Sequence, residues 1–422
     1  MAKAIVDKWL ISELKNTTIL NVKKSLVFNF SLVHKNFDGL TPKMAMIIEN
    51  GVITWLGSQN KIPKKIKFFK ETNLQGQKIF PAFIECHTHS IFAGSRADEF
   101  ELRNNGVSYL EIAKKGGGVL STMTKTRKAS VKDLLSTAKT RVDEFLKQGV
   151  ATVEIKSGYA LDLKNEIKTL EVVAKIPSLY KTAPRIISTF LGAHAKPPEF
   201  ESYSEYLEYL VKNVLPVIKK KKLSQRVDIF IEKNFFETPE SKKYLQAAKD
   251  LGFQTTIHAN QLSFSGGAEL ALDLKSQSAD HVIHLTGETI KHFAQSQTVA
   301  VLLPAADLYM KCAYPEARKL IDAGATVALA TDFNPGSCPT QDLSLVGLLA
   351  RLEMKMSLPE VFKAYTSGAA QALGIQDDEG TLEVGKLANF ISTEAELTDF
   401  FYSVGHMPQH QLFIRGTRAL VG

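Results

Sequence analysis

Residues 130–156 read SVKDLLSTAKTRVDEFLKQGVATVEIK, and the fold class turns on how that stretch divides. Val131, Leu134, Leu135, Ala138, Val142, Phe145 and Leu146 recur at the spacing of one helix face. Ser130 with Asp133 makes a capping-box-like start, and Gly149 supplies the stop. GVATVEI (149–155) follows directly and reads as a strand rich in apolar and β-branched residues. A helix delivered straight into an apolar strand is half of a repeating β/α unit.

The unit recurs on both sides. Strand RIISTFLGAHA (185–195) precedes the helical pattern YSEYLEYLVKNVLPVIKK, and strand RVDIFIE (226–232) precedes a helix begun by Pro239 and ended by Gly252. FQTTIHA from 253, ADHVIHL from 279, TVAVLLPAA from 298 and ATVALATDF from 325 are further strands, and FIECHTH opens the series. Near-continuous apolar strands alternating with helices are parallel and covered on both faces. Eight of them predict an α/β fold, a (β/α)8 TIM barrel. The rival, an open doubly wound sheet, lacks a GxGxxG after an early strand. SLVFNF and AMIIENGVITWLG, with the turn-forming pair Asn50-Gly51, are hairpin-like β structure. TLEVGKLANFISTEA and QHQLFIRGTRALVG near the end are β-like again. The expectation is one small β-sandwich composed of residues 1–75 and 375–422, flanking a barrel of residues 76–374.

The chain has 422 residues, 44% hydrophobic and 23% charged, as expected of a globular protein. MAKAIVDKWLISELKN, the start, has no apolar core of signal-peptide length, and no run is long enough to span a bilayer. Cys86, Cys312 and Cys338 are too few and scattered for a disulfide framework, so a reducing, cytoplasmic location is expected. The net charge of +8 comes mostly from lysine clusters such as KIPKKIKFFK (61–70) and KKKK (219–222). The second closes a helical pattern, where cations suit the C-terminus. No zinc-finger spacing or RNP-like strand accompanies them, so neither nucleic acid nor membrane is an expected partner. A positive field of this kind steers a small anionic substrate.

Catalytic residues of barrels lie at the C-terminal ends of the strands. Here the first strand ends in His87 and His89, the third in His194 and the fifth in His258; the sixth carries His281 and His284, and the eighth ends in Asp332. Ten histidines placed at random would rarely finish four barrel strands. His87, His89, His258 and Asp332 make three imidazoles and a carboxylate, a set suited to one zinc or iron ion per chain. A metal lowers the pKa of bound water from about 15.7 to about 7, worth roughly 12 kcal/mol. Cys86 faces away from both neighbours and reads as packing.

PAFIECHTHS (81–90) resembles the metal-binding opening of the amidohydrolase superfamily. HTHSIFAGSRADEF, SYLEIAKKGGG, TVEIKSGYAL, STFLGAHAKPPE, IHANQLS, SADHVIHLT and ATDFNPGS, in this order from about 80 to 340, are similar to the imidazolonepropionase family within it. The resemblance implies hydrolysis of the cyclic amide of 4-imidazolone-5-propanoate to N-formimidoyl-L-glutamate, a step of histidine degradation. It matches His87, His89, His258 and Asp332 to metal ligands. It matches Arg96, Tyr159, His194 and Gln261 to substrate contacts, and Asn334, Gly336 and Ser337 to contacts with substrate or product. A guanidinium suits the propionate. His194, His281, Asp332 and Gln261 are the candidates for proton transfer and carbonyl polarisation, unranked by sequence. A homodimer is implied by resemblance alone. Lys156 ends the second strand, whereas a metal-bridging lysine comes from a later one, so one metal is expected. Gly116-Gly117-Gly118 lacks a following GK[ST] and reads as a loop near the first strand end.

Four positions depart from the family pattern. Glu85 stands where aspartate is usual, Asn260 replaces an acidic residue, Ile283 takes the place of a polar acid and Ala160 that of a glycine. The competing readings are a different amidohydrolase such as a heterocycle deaminase, a silent scaffold that keeps the barrel, and a nucleic-acid binder.

Overall fold

The structure, a computed structural model, describes residues 24–107, 111–112 and 116–420. The opening segment read above for a leader, and part of the SYLEIAKKGGG block, lie outside the described residues. The N-terminal part contributes β1 (Lys24–Val33), β2 (Leu40–Glu49), β3 (Val52–Ser58), β4 (Lys70–Asn73) and β5 (Lys78–Pro81). β2 and β3 form the hairpin expected at Asn50-Gly51, and both turn residues take positive φ, 53° and 83°. Asn and Gly tolerate that conformation, which matches the twist of the paired strands. The chain then leaves for the barrel and returns as β14 (Phe390–Thr393), β15 (Gln411–Ile414) and β16 (Thr417–Arg418).

β14 pairs antiparallel with β5, joining the two ends of the chain in one mixed sheet of order β16-β15-β14-β5-β1-β2-β3, with β4 beside β1. Just before β14 the chain touches β3 again, through Ile53 N–H to Lys386 O and Ala388 N–H to Gly51 O. The sheet thus folds over a core of Val27, Phe30, Met46, Ile48, Ile53, Ile79, Phe390 and Phe413. It continues through β5 to Pro81, past the boundary expected at residue 75. An aromatic cluster joins it to the barrel floor. Phe362, fully buried, lies 4.7 Å from Phe37, 5.3 Å from Phe80 and 5.2 Å from Phe401, ring centre to ring centre.

All eight barrel strands form where the sequence places them: β6 (Phe83–Glu85), β7 (Val150–Lys156), β8 (Arg185–Ala193), β9 (Arg226–Ile231), β10 (Gln254–Ala259), β11 (Ser278–His281), β12 (Val299–Leu302) and β13 (Val327–Leu329). They pair in parallel in sequence order. The ring is nearly closed by bonds just beyond β6 and β13. Thr88 bridges Phe333, His89 N–H donates to Phe333 O, and Asp332 N–H donates to His87 O.

The helix at 131–147 is capped by Ser130, whose Oγ accepts from Asp133 N–H, and Gly149 after it takes φ of 87°. The helix at 238–250 carries Pro239 in its first turn and a reciprocal Glu237–Glu240 capping box. The longer pattern from Tyr203 to Lys221 is interrupted by a π-turn at Leu210–Val214. Pro216 sits just after it; having no N–H, it cannot complete a regular ladder there. In the 219–222 cluster Lys219 donates to Gly252 O and Lys221 pairs with Glu171 at 2.8 Å, the behaviour of a solvated surface. Among the described residues no helix is long and apolar enough to cross a membrane.

Candidate metal centre and substrate pocket

The bonds that close the barrel also assemble the site. His87 and His89 lie two and four residues past the end of β6, and Asp332 is tied to His87 through the backbone. Asp332 adopts φ of 54°, an uncommon conformation for a non-glycine residue and one found at functional sites. His258 arrives from β10 and His281 from the end of β11. Four donor atoms converge. Asp332 Oδ1 lies 3.5 Å from His87 Nε2 and 3.3 Å from His89 Nε2, and His89 Nε2 lies 3.4 Å from His258 Nε2.

Nitrogen and oxygen donors about 2.0–2.1 Å from a tetrahedral zinc stand about 3.4 Å apart, the spacing found here. His87 Nε2 is buried with no hydrogen-bond partner, an expensive condition unless something else engages it. Imidazole with carboxylate serves iron as well as zinc. The residues present therefore fit the metal ion that the sequence implies.

The outer nitrogens are held from beneath. His87 Nδ1 lies 2.6 Å from Asp280 Oδ2, and His258 Nδ1 lies 3.1 Å from Asp228 Oδ2. Asp280 takes the Nδ1–H of His87 and turns its Nε2 lone pair inward, while the Asp228 carboxylate stands beside His258 Nδ1 as a charge contact. Lys156 Nζ, fully buried, ties the carboxylates together at 3.0 Å from Asp228, 2.9 Å from Glu154 and 3.8 Å from Asp280. Burial disfavours its charge, but Asp228 and Glu154 outweigh that and hold it protonated. Lys156 thus sits under the donor cluster, outside the converging set. Burial also opposes the charge of Asp280, yet its bond to His87 brings the carboxyl down to about 2. Sequence reading missed Asp228, Asp280 and Glu154. Their signal was there as charged residues inside apolar strands, in RVDIFI, SADH and VATVEIK.

A cavity of about 260 Å³ opens above the donors, small for a ligand pocket and suited to a compact molecule. His89, His258, His281 and Asp332 form its floor, and Arg96, Tyr159, His194, Gln261, Asn334 and Ser337 its walls. Of the metal, catalytic and substrate-contact residues expected from the sequence, all line this cavity except His87, which belongs to the donor cluster, and Gly336, which lies behind Arg96. A Cβ at Gly336 would fall 2.0 Å from Arg96 Nη1, so the guanidinium rests directly on that glycine. The loop after β13 is organised by Asn334. Its Oδ1 accepts from the Gly336 and Ser337 amides at 2.9 and 2.7 Å, while Nδ2 donates to Asp332 O. The Gly336 and Ser337 amides are therefore engaged by Asn334.

His194 Nδ1 lies 3.0 Å from Gly158 O, so Nδ1 carries the hydrogen and Nε2 accepts. Burial, then His89 and His258, push its pKa well below the ordinary value, leaving it neutral. His281 is also neutral, lowered to about 3 chiefly by burial. Its strand ends with two successive left-handed residues, His281 at 74° and Val282 at 46°. The alternation seen in ADHVIHL breaks there, and His284 turns away to pack against Phe264.

Two of the four departures from the family pattern, Glu85 and Asn260, are accommodated by hydrogen bonds. Glu85 is fully buried and accepts from the His87 and Thr331 amides, linking β6 to β13, with burial raising its pKa to about 8. Asn260, at φ 52°, accepts from Ala268 N–H and donates to His284 O. An amide can do both, whereas a carboxylate could not donate.

Barrel, flanking sheet and donor cluster together define an amidohydrolase. A model of that family matches residues 79–419. Among solved structures, a zinc-bound adenosine deaminase from Xanthomonas campestris superposes with a TM-score of 0.71 at 17% identity, covering 94% of this chain and 92% of its own. Guanine deaminase from E. coli follows the same fold, with a TM-score of 0.64 at 16% identity over 94% and 99% of the two chains. Sequence relatives are much nearer. The imidazolonepropionase of Bdellovibrio bacteriovorus is 51% identical over 96% of each chain. That of Bacillus cytotoxicus is 42% identical over 86% of each. The chain belongs to the amidohydrolase family and, within it, to the imidazolonepropionases.

Proposed function

We propose that this site hydrolyses the ring amide of 4-imidazolone-5-propanoate to N-formimidoyl-L-glutamate, in histidine degradation. The observation that carries the reading is one small cavity with a metal-suited donor cluster at its floor and a buried arginine in its wall. His87, His89, His258 and Asp332 would hold zinc or iron. When bound, the metal supplies Lewis acidity and an activated water.

The chain's own groups divide the remaining work. Arg96 takes the propionate through its planar fork. His194, with Nδ1–H committed to Gly158, offers only an acceptor at Nε2, so it receives a ring N–H and fixes the substrate's orientation; it is not the group that polarises the carbonyl. His281, neutral and in the cavity floor, can donate to that carbonyl. Asp332, its pKa held well below the ordinary carboxylate value by its histidines despite burial, accepts the proton released by the attacking water and delivers it to the leaving nitrogen. Tyr159 and Gln261 close the walls around the ring.

A deaminase reading draws on the fold alone. A neutral base carries no carboxylate for Arg96 to bind, which disfavours it. The test follows the ultraviolet absorbance of freshly made imidazolone propionate with metal-loaded protein, against metal without protein to subtract spontaneous decay. Loss well above that decay supports the proposal. Its absence, with metal confirmed in the protein, overturns it in favour of another cyclic substrate.

A further inference from the structure

The helix Ala97–Asn104 carries Glu99 and Arg103 one turn apart, on one face. Glu99 is buried, and its two oxygens are used in opposite directions. Oε2 accepts from Arg96 Nε at 2.8 Å, and Oε1 accepts from the Gly118 N–H at 2.9 Å, in the glycine loop at the cavity mouth. On the other side Arg103 Nη2 donates to the carbonyl of Gly336, the same glycine against which the Arg96 guanidinium rests. Arg96 is thus fixed at its Nε edge by Glu99 and on its face by Gly336, and Gly336 is itself anchored by Arg103.

A carboxylate beside an arginine that must bind an anion is a puzzle, since it subtracts charge where charge is wanted. Two effects oppose. Coulomb competition predicts that Glu99 weakens substrate binding. Preorganisation predicts the reverse, because a long flexible side chain held in its bound geometry need not be ordered when substrate arrives. The burial of the pair and the second bond to Gly118 favour the latter. A buried ion pair adds little net stability, and holding register is its better-supported use.

We propose that Glu99 is a positioning residue for Arg96, with Arg103 bracing Gly336 from behind, and that the pair sets affinity for the substrate's carboxylate. This rests on the reading that Arg96 receives that carboxylate. The test is a double-mutant cycle of Arg96→Gln and Glu99→Gln, read in KM, kcat and the inhibition constant of imidazole-4-propanoate, a stable probe carrying the same carboxylate.

Replacing a charge-assisted bond by a neutral one is expected to raise KM and the inhibition constant about fivefold in Glu99→Gln, with kcat kept within about twofold. The double variant should bind no worse than Arg96→Gln alone, because the effects act through one group. Unchanged or tighter binding in Glu99→Gln, or additive losses, overturns the positioning role while leaving the carboxylate reading intact. No effect of Arg96→Gln on either constant overturns both. Should Glu99→Gln fail to fold, Arg103→Gln carries the test with the same expected signature, a rise in KM without a fall in kcat.

Discussion

Gly336→Ala places one methyl group where Arg96 lies. The added Cβ would stand 2.0 Å from Nη1, 2.3 Å from Cζ and 2.9 Å from Nη2 of Arg96, all inside any real contact. Gly336 is not among the positive-φ glycines, so alanine adds no backbone strain of its own there. The substitution therefore acts through Arg96, which must leave its seat. A hydrogen bond to a charged group contributes about 1.5–3 kcal/mol, so losing the propionate contact is expected to lower kcat/KM about 10- to 150-fold. The loss should fall mainly on KM, because the propionate is remote from the bond that breaks. The assay is the initial rate of imidazolone absorbance loss across substrate concentration, with Gly287→Ala as control, since a Cβ there meets nothing within 4 Å. An unchanged KM in Gly336→Ala, with metal content and thermal midpoint intact, would refute the placement of the carboxylate at Arg96.

Asp280→Asn removes the carboxylate 2.6 Å from His87 Nδ1; losses of about 10- to 100-fold in metal affinity follow from such changes, measurable by competition with a chelator. Prolonged chelation of the wild type should abolish turnover, and restoring zinc or iron should return it, the better metal being read from the recovered rate. Asp307 is buried with both carboxylate oxygens unpartnered, and burial, then Asp332, push its pKa well above the ordinary value. The unfolded chain then loses this proton first, so stability attached to Asp307 is present below its unfolded pKa and falls as pH rises toward the folded one. Asp307→Asn removes that dependence, and its urea midpoint should gain on the wild type between about pH 5 and pH 8; a constant gap would show that Asp307 does not titrate this way. Phe362→Ala empties the aromatic seam between barrel and flanking sheet and should cost about 3–5 kcal/mol, seen as a lower denaturant midpoint.

Much of this molecule could be read along the chain. Each strand and helix is specified by neighbours a few residues apart, so the alternation at 130–156 was legible, as were the Ser130 cap and the Asn50-Gly51 turn. The strand-end positions of His87, His89, His194, His258 and Asp332 were legible for the same reason, since a parallel barrel puts every strand's C-terminal end on one face. Period and position could not decide which of His281 and His284 reaches the site. That was settled by the left-handed turn at His281 and Val282, a conformation imposed by surroundings and carrying no mark in local pattern.

The groups beneath and behind the site belong to the tertiary structure alone. Asp228, Asp280 and Glu154 meet at Lys156 from three different strands, and Gly336 meets Arg96 across more than two hundred residues of chain. Apolar strands mark these charges as buried, but nothing local names their partners, because a buried charge is tolerated only where folding brings its counter-charge. The sequence by itself determined which side chains would gather at the C-terminal ends of the barrel strands. Their protonation states, their orientation and the clamp around Arg96 were decided by the distances that closing the barrel imposed.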